Sequence, residues 1–453
     1  MSHVMMARAL FGITLGYHIG YATISVGAPM LIVLAEILAA RTGQAEYRLF
    51  AKRVTMVLVL LVGVGLVTGT TVAVMLSVLW PGFMKVAGQV INLPFQIEVF
   101  AFMLESLFLA IYVYGGDRLS VRTRILSAGF VSLGSGLSAL LITDVNAFMN
   151  TPVGFHFVNG QVTDVHPWQA MLNPAMPTEL AHVLVSAYMT VGLLFASVAA
   201  RGLLRSEATP FERGYHKRVL RMTMGFGTVM AILTAVVGDA SGKFLAHFQP
   251  EKLAAAEGLF RSTNNAPLVV GGIVNGTTQQ VQGGIPLPDL LSFLATGSFT
   301  GHVTGLDAFP KWTWPPLFVH SLFDIMVGIG SLAIVVGLAY GLFLWRTKST
   351  PRWLLWAIVA IGALSMLGIE DGWTFAEIAR QPWIISGYLL VANAVTSSPG
   401  IGWMFAGFLT LYSVLLIGTI WALRVYFRTH PLPSDGSTSD GSRPAAKHGG
   451  VSA

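Results

Sequence analysis

The chain has 453 residues, of which 54% are hydrophobic and only 11% charged, with a formal net charge of +6 and a mean hydropathy of +0.68. Soluble domains carry about a quarter charged residues, so this composition excludes one and implies an integral membrane protein. With no cysteine, disulfides, thiolate metal sites, iron–sulfur clusters and covalent c-type haem attachment are excluded as well.

Apolar runs long enough to cross about 30 Å at 1.5 Å per residue recur throughout. They imply an all-α membrane fold; a β-barrel would show alternating segments of about ten residues. Nine transmembrane helices are predicted, at 9–38, 54–80, 94–115, 123–148, 179–203, 217–240, 315–345, 352–370 and 401–426. The first lacks a short apolar core with a cleavage site and reads as a retained helix. Most of the 27 lysines and arginines lie in the loops at 41–53, 118–124, 201–221 and 346–352 and in the tail. The positive-inside rule therefore predicts the N-terminus outside and the C-terminus in the cytoplasm, in agreement with an odd number of spans. The net charge reports topology and calls for no nucleic-acid partner.

Four segments follow: 1–240 with six spans, an extracytoplasmic loop at 241–314, 315–429 with three spans, and a tail at 430–453. A loop of that length is functional or disordered. The tail is rich in Ser, Gly, Pro and Asp and is expected to be disordered. No phosphate-cradling glycine motif is present, which argues against an ATP-driven pump.

Within the spans the candidate functional residues are polar, because such groups are costly in hydrocarbon and persist where they pair, face a wet cavity or hold a ligand. His18, His182 and Met326 are of types that bind haem iron axially, and a His/Met pair makes a low-spin electron-transfer site. Taken singly, a membrane histidine is also an interhelical hydrogen bonder and a methionine a gap filler. Glu98 and Glu105 are seven residues apart, which returns to within about 20° of the same helix face and suits a proton relay. Ser138, Asp144 and Asn146 add polarity to the fourth span and suggest a second wet path. The run Gly372-Trp373-Thr374-Phe375-Ala376-Glu377-Ile378-Ala379-Arg380-Gln381-Pro382-Trp383 sets a carboxylate, an arginine and two tryptophans beside a long apolar segment. Its plain alternative is an interfacial loop with boundary tryptophans and a snorkelling arginine.

Several runs occur together in one order: Tyr17-His18 between Arg8 and Glu36, Ile97-Glu98 to Leu104-Glu105-Ser106, Gly134-Ser135-Gly136-Leu137-Ser138, Asn146 to Pro152, Gly238-Asp239, the Lys252/Glu257 stretch, Met326-Val327 and Trp373…Glu377…Arg380-Gln381-Pro382-Trp383. In this the chain resembles subunit I of the cytochrome bd-type quinol oxidases over residues 5–426. The last element is the most specific part of the match. The resemblance implies a haem-bearing oxidoreductase subunit that takes electrons from membrane quinol and reduces dioxygen to water. It implies His182 and Met326 as axial ligands of a low-spin haem b. His18 and Glu377 would each serve one of two further haems, a high-spin haem b and a third of chlorin type d or of type b, and which residue holds which stays open. Arg380 would pair with haem propionates, Trp373 would pack against haem, Lys252 and Glu257 would serve quinol, and Glu98, Glu105, Ser138 and Asn146 would deliver protons. A second membrane subunit, a small accessory subunit and a bacterial or archaeal cytoplasmic membrane are expected on the same ground.

The chain departs from the familiar pattern in places. One residue fewer separates the two third-span carboxylates, Ala379 stands for a glycine, and Asp324 stands where an arginine is familiar, two residues before Met326. The loop is the short form. These departures suggest a divergent branch, for which three b-type haems without a chlorin are one expected complement. An ionised Asp324 would stabilise an oxidised, more positive haem and lower its potential. Two other classes are a secondary transporter using Glu98, Glu105 and Arg380, which shows no inverted repeat here, and a haem-binding anchor, which would need His182 and Met326 but not His18 and Glu377.

Overall fold

The computed structural model describes residues 3–398 and 400–433. Most of the tail expected to be disordered, from residue 434 onward, lies outside the described residues. The helices in chain order are α1 (His3–Thr42), α2 (Ala45–Leu79), α3 (Pro81–Val90), α4 (Asn92–Gly115), α5 (Val121–Asn150), α6 (Pro167–Met171), α7 (Met176–Leu204), α8 (Pro210–Phe248), α9 (Pro250–Ala256), α10 (Leu290–Thr296), α11 (Val319–Thr347), α12 (Arg352–Ile378), α13 (Val391–Ala394) and α14 (Ile401–Thr429). Among the described residues, 9 helices are long and apolar enough to cross a membrane. They match the predicted spans in number and order.

The ends differ for a physical reason. Hydropathy falls before backbone hydrogen bonding stops, so α8 runs on to Phe248 and α12 to Ile378, past the predicted ends at 240 and 370. Each then stops just ahead of a proline, Pro250 or Pro382, which disfavours helix in the residue before it. Trp373 to Ile378 are consequently helical, which replaces the interfacial-loop alternative. At the other end of α8, Thr209 and Glu212 form a capping box: Thr209 Oγ1 accepts from the Glu212 amide at 3.2 Å and Glu212 Oε2 from the Thr209 amide at 2.8 Å, satisfying two orphan donors.

Helices α7, α8, α11 and α12 close a ring in which each packs on the next, and α1 lies against α2, α5, α7, α12 and α14. Small residues allow this closeness, as is usual between membrane helices. A methyl added to Gly192 of α7 would lie 2.8 Å from the Gly227 Cα of α8. The loop after α8 is ordered. Short antiparallel pairings join 263–264 to 302–303, 268–270 to 285–287 and 273–275 to 280–282. A buried apolar patch of Ala254, Ala255, Ala256, Phe260 and Leu306 against Val319, Phe375 and Ala379 seats the loop on the start of α11 and the end of α12. His320, fully buried, fastens it further: Nδ1 is 2.7 Å from the Ala256 carbonyl and Nε2 3.2 Å from the Gly271 carbonyl.

Candidate functional site

At the loop end of the bundle, side chains from four elements form one directed chain of donors. Lys252 Nζ on α9 donates to Asn150 Oδ1 at 3.4 Å. Asn150 Nδ2 donates to Asn146 Oδ1 at 2.9 Å and to Glu179 Oε1 of α7 at 3.0 Å. Asn146 Nδ2 in turn donates to Glu377 Oε1 of α12, whose other oxygen accepts from Arg380 Nη2 at 2.7 Å. The donors thus run from Lys252 to Glu377, with a branch from Asn150 to Glu179. Asn146, expected to help deliver protons, thus contacts Glu377 directly.

Arg380 is only 5% exposed, yet its Nε and Nη1 are buried without a hydrogen-bond partner. Leaving a buried donor unpaired costs about 1–3 kcal/mol, and more on a charged group. The guanidinium therefore presents two donors to something anionic. Burial pushes the Lys252 ammonium down to about 8; Glu179 opposes that shift, Arg380 adds to it, and Glu377 opposes it again. Its charge also lies 5.6 Å from the Phe375 ring centroid, a cation–π distance.

Glu257 goes elsewhere. Burial, and then the neighbouring Asp324 charge, raise its carboxyl to about 8. Asp324 Oδ2 accepts from the Gly271 amide at 2.6 Å and lies 3.5 Å from His320 Nε2. Lys252 and Glu257 thus share α9 and its cap but face different neighbours, one toward α5 and α12 and the other toward α11.

His18 Nδ1 is 3.1 Å from Thr68 Oγ1 of α2, and that hydroxyl lies within 3.2 Å of the Val64 and Gly65 carbonyls. With the hydroxyl proton directed to a carbonyl, Thr68 Oγ1 accepts from His18 Nδ1, and Nε2 is the ring nitrogen this contact does not use. His182 on α7 has a buried Nδ1 with no partner and lies beside Gly238 of α8, while Met326 Sδ on α11 sits where a Cβ on Gly372 of α12 would approach to 3.0 Å. His182 and Met326 occupy diagonal helices of the four-helix ring. Gly69, Gly238 and Gly372 lie directly against His18, His182 and Met326, and with the buried unpaired nitrogens of His182 and Arg380 this donor set fits a flat, anionic-edged macrocycle.

On α4, Glu98 Oε1 accepts from Ser138 of α5 at 2.6 Å, and the 4% exposed Glu105 has an unpartnered Oε1. Asp144 instead accepts from Asn173 Nδ2 at 3.0 Å. Ser138, Asp144 and Asn146 therefore hydrogen-bond to three separate partners, Glu98, Asn173 and Glu377. Trp373 is half-buried, with no ring partner among the described residues, whereas Trp383 packs on Trp312 of the loop at 5.9 Å.

The family profile for cytochrome bd terminal oxidase subunit I matches residues 6–431. The chain belongs to the cytochrome bd terminal oxidase subunit I family. It is 43% identical, over 97% of its own length and 100% of the relative's, to a chain of Bacillus subtilis (strain 168) that carries the inferred name cytochrome bd menaquinol oxidase subunit I. It is 29% identical to cytochrome bd ubiquinol oxidase subunit 1 of the same organism, over 93% of this chain and 91% of that one. The solved bd oxidase of Geobacillus thermodenitrificans matches with a TM-score of 0.90 and 44% identity, covering 94% of this chain and 99% of that one. Members of the family are haem-bearing subunits of terminal quinol oxidases, set in bacterial membranes and paired with a subunit II. Membership displaces the transporter and simple-anchor alternatives.

Sequence reasoning passed over Asn150, Glu179 and Glu370. Asn150 follows Asn146 at the i,i+4 spacing that shares a helix face, and Glu370 precedes Glu377 by seven residues, so periodicity was a usable signal for both. The Glu370 carboxylate lies against Gly16 and Gly20 of α1, which flank His18. Glu179, in the first turn of α7, reads as an ordinary helix-start acid. Nothing local marks it.

Proposed function

We propose that this chain oxidises membrane quinol at its loop end and passes the electrons to a haem site that reduces dioxygen to water. His182 and Met326 would be the axial ligands of a low-spin haem b. His18 Nε2 and Glu377 would each hold one of two high-spin haems, the third being of type d or b. Arg380 would bind propionate oxygens through Nε and Nη1, and Trp373 would pack beside a haem. The bound haems supply electron transfer and an open iron position for dioxygen. The N-terminus lies outside and the C-terminus in the cytoplasm of a bacterial cytoplasmic membrane, and a second subunit, with a small accessory subunit, completes the enzyme.

The residues divide the remaining work. Lys252, with an ammonium lowered toward neutral pH, gives or takes a proton at a quinol oxygen, while Glu257 accepts one on the α11 side of the loop. Asn150 and Asn146 hold Glu377 in one orientation. Ser138 donates to Glu98, and Glu98 and Glu105 deliver protons along one face of α4.

The observation that carries this reading is the buried Arg380 with two unpaired donors beside a Glu377 already held by Asn146. A reduced-minus-oxidised visible spectrum of the purified complex tests it. Bands of b type are expected, with or without a long-wavelength chlorin band, and His182→Ala should remove the low-spin component. Absence of any haem signal from the intact complex overturns the reading.

A further inference from the structure

The opposite, arginine-rich end of the bundle holds a cavity that the oxidase chemistry leaves unused. It has a volume of about 330 Å³ and opens where α2 and α8 begin and α7 and α14 end, at the lower bound of the size of ligand sites. Its walls are apolar: Phe50, Val54, Val57, Phe195, Val198 and Val219. Its rim is not.

Arg53, Arg201 and Arg205 come to it from two helices. Arg53 donates to the His430 carbonyl at 2.8 Å and stacks 4.9 Å over Phe427, which closes one wall. Arg201 and Arg205 are exposed and have no ion-pair partner among the described residues. The carboxylate that also lines the cavity, Glu212, is engaged by the Thr209 amide at 2.8 Å. His216 lies flat on Gly202, where a methyl would meet its ring at 2.3 Å, and its Nδ1 is buried without a partner.

We infer that this cavity binds one anionic phospholipid, with an acyl chain along the Phe50, Phe195 and Val219 wall and the phosphate between Arg201, Arg205 and His216. Three features point to that occupant together. The walls suit hydrocarbon, the unpaired guanidiniums suit a phosphate, and His216 Nδ1 lacks the partner that a phosphate or glycerol oxygen supplies. A wholly apolar guest would leave both arginines and the histidine unmet. A free soluble anion would leave the apolar wall wet.

The test uses the intact oxidase complex in nanodiscs of dioleoyl-phosphatidylglycerol mixed with dioleoyl-phosphatidylcholine, with tightly retained lipid counted by native mass spectrometry after detergent exchange. One retained phosphatidylglycerol is expected, with no phosphatidylcholine in its place. Two arginines near a membrane surface predict retention about thirtyfold weaker in the double variant Arg201→Gln/Arg205→Gln, with haem spectrum and quinol oxidation unchanged. Val198→Trp, which fills the mouth of the cavity without touching a charge, should also expel the lipid and covers the case in which the double variant fails to assemble. Equal retention of both lipids, unchanged retention in both variants, or loss of a quinone in place of a phospholipid would overturn the inference.

Discussion

Two arginine–glutamate pairs, each with a buried arginine, stand at opposite ends of the bundle, and their difference separates a structural pair from a candidate site. Arg124 and Glu36 are 3.3 Å apart at the basic end. There Tyr112 donates to Glu36 Oε1 at 2.7 Å, and Arg124 Nη1 donates to the Leu119 carbonyl at 3.1 Å, so no Arg124 nitrogen is left buried and unpaired. Arg380 and Glu377 are closer, at 2.7 Å, but two Arg380 nitrogens have nothing to bond. Both pairs carry the same charges and both arginines are buried. What marks the second as a site is unspent hydrogen-bonding capacity, held open at an energetic cost that a purely structural pair would have avoided.

The sharpest way to break this comparison is to neutralise each arginine in turn. Arg380→Gln should cost about 100-fold in quinol:oxygen turnover, with altered haem bands in a complex that still assembles. Arg124→Gln should instead cost about 3–5 kcal/mol of stability, since it strands Glu36, and leave the visible spectrum of the surviving protein unchanged. Equal spectral damage in the two variants would remove the distinction between them.

Next in size, Lys252→Ala should slow quinol oxidation by about 100-fold while oxygen still oxidises the pre-reduced haems at nearly the native rate. Stopped-flow measurement of the two half-reactions checks this, and parallel failure of both would place Lys252 in the haem site alone.

A smaller, pH-dependent effect belongs to Glu257. Its pKa in the folded chain is raised from 4.5 to about 8, so the loop buries the protonated form. Its contribution to loop seating is fully present below about pH 4.5 and is lost as pH rises through about 8. Protease cleavage or hydrogen exchange near Glu257 should accordingly increase across that window in the native chain. In Glu257→Gln it should stay flat.

The smallest expected effect is Asp324→Asn, which removes a negative charge two residues before Met326 and should raise the low-spin haem potential by on the order of tens of millivolts. Redox titration followed at the b bands measures it. Because Asp324 also accepts from the Gly271 amide, a change in loop protease sensitivity without a change in potential would assign this residue to loop docking alone.

The comparison also shows how legible the site was in sequence. Glu36–Arg124 and Glu377–Arg380 are both glutamate–arginine pairs, and nothing in composition tells them apart. Glu377, His18, His182 and Met326 stood out by polarity and residue type, but their expected roles came through resemblance in motif order, since any one of them taken singly has an ordinary structural explanation. The Glu98/Glu105 stripe came from helical periodicity, and the same rule applied to Asn146/Asn150 and Glu370/Glu377 would have extended the list. Ser138, Asp144 and Asn146 share one helix in sequence but turn toward different neighbours, α4, the Asn173 turn and α12.

By itself the sequence determined the class of the protein, the number and order of its spans, the placement of its basic loops and the family motif. All of these depend on local quantities: the transfer cost of each side chain, the length of an apolar run, or the spacing of a motif. Only the tertiary structure decided that Asn146 holds Glu377, a partner 231 residues away, that Lys252 and Glu257 face different helices, and that among the described residues Arg380 has two buried unpaired donors while Arg124 has none. Hydrogen bonds act over about 3 Å and in fixed directions, so which polar groups are satisfied is settled by how the helices pack.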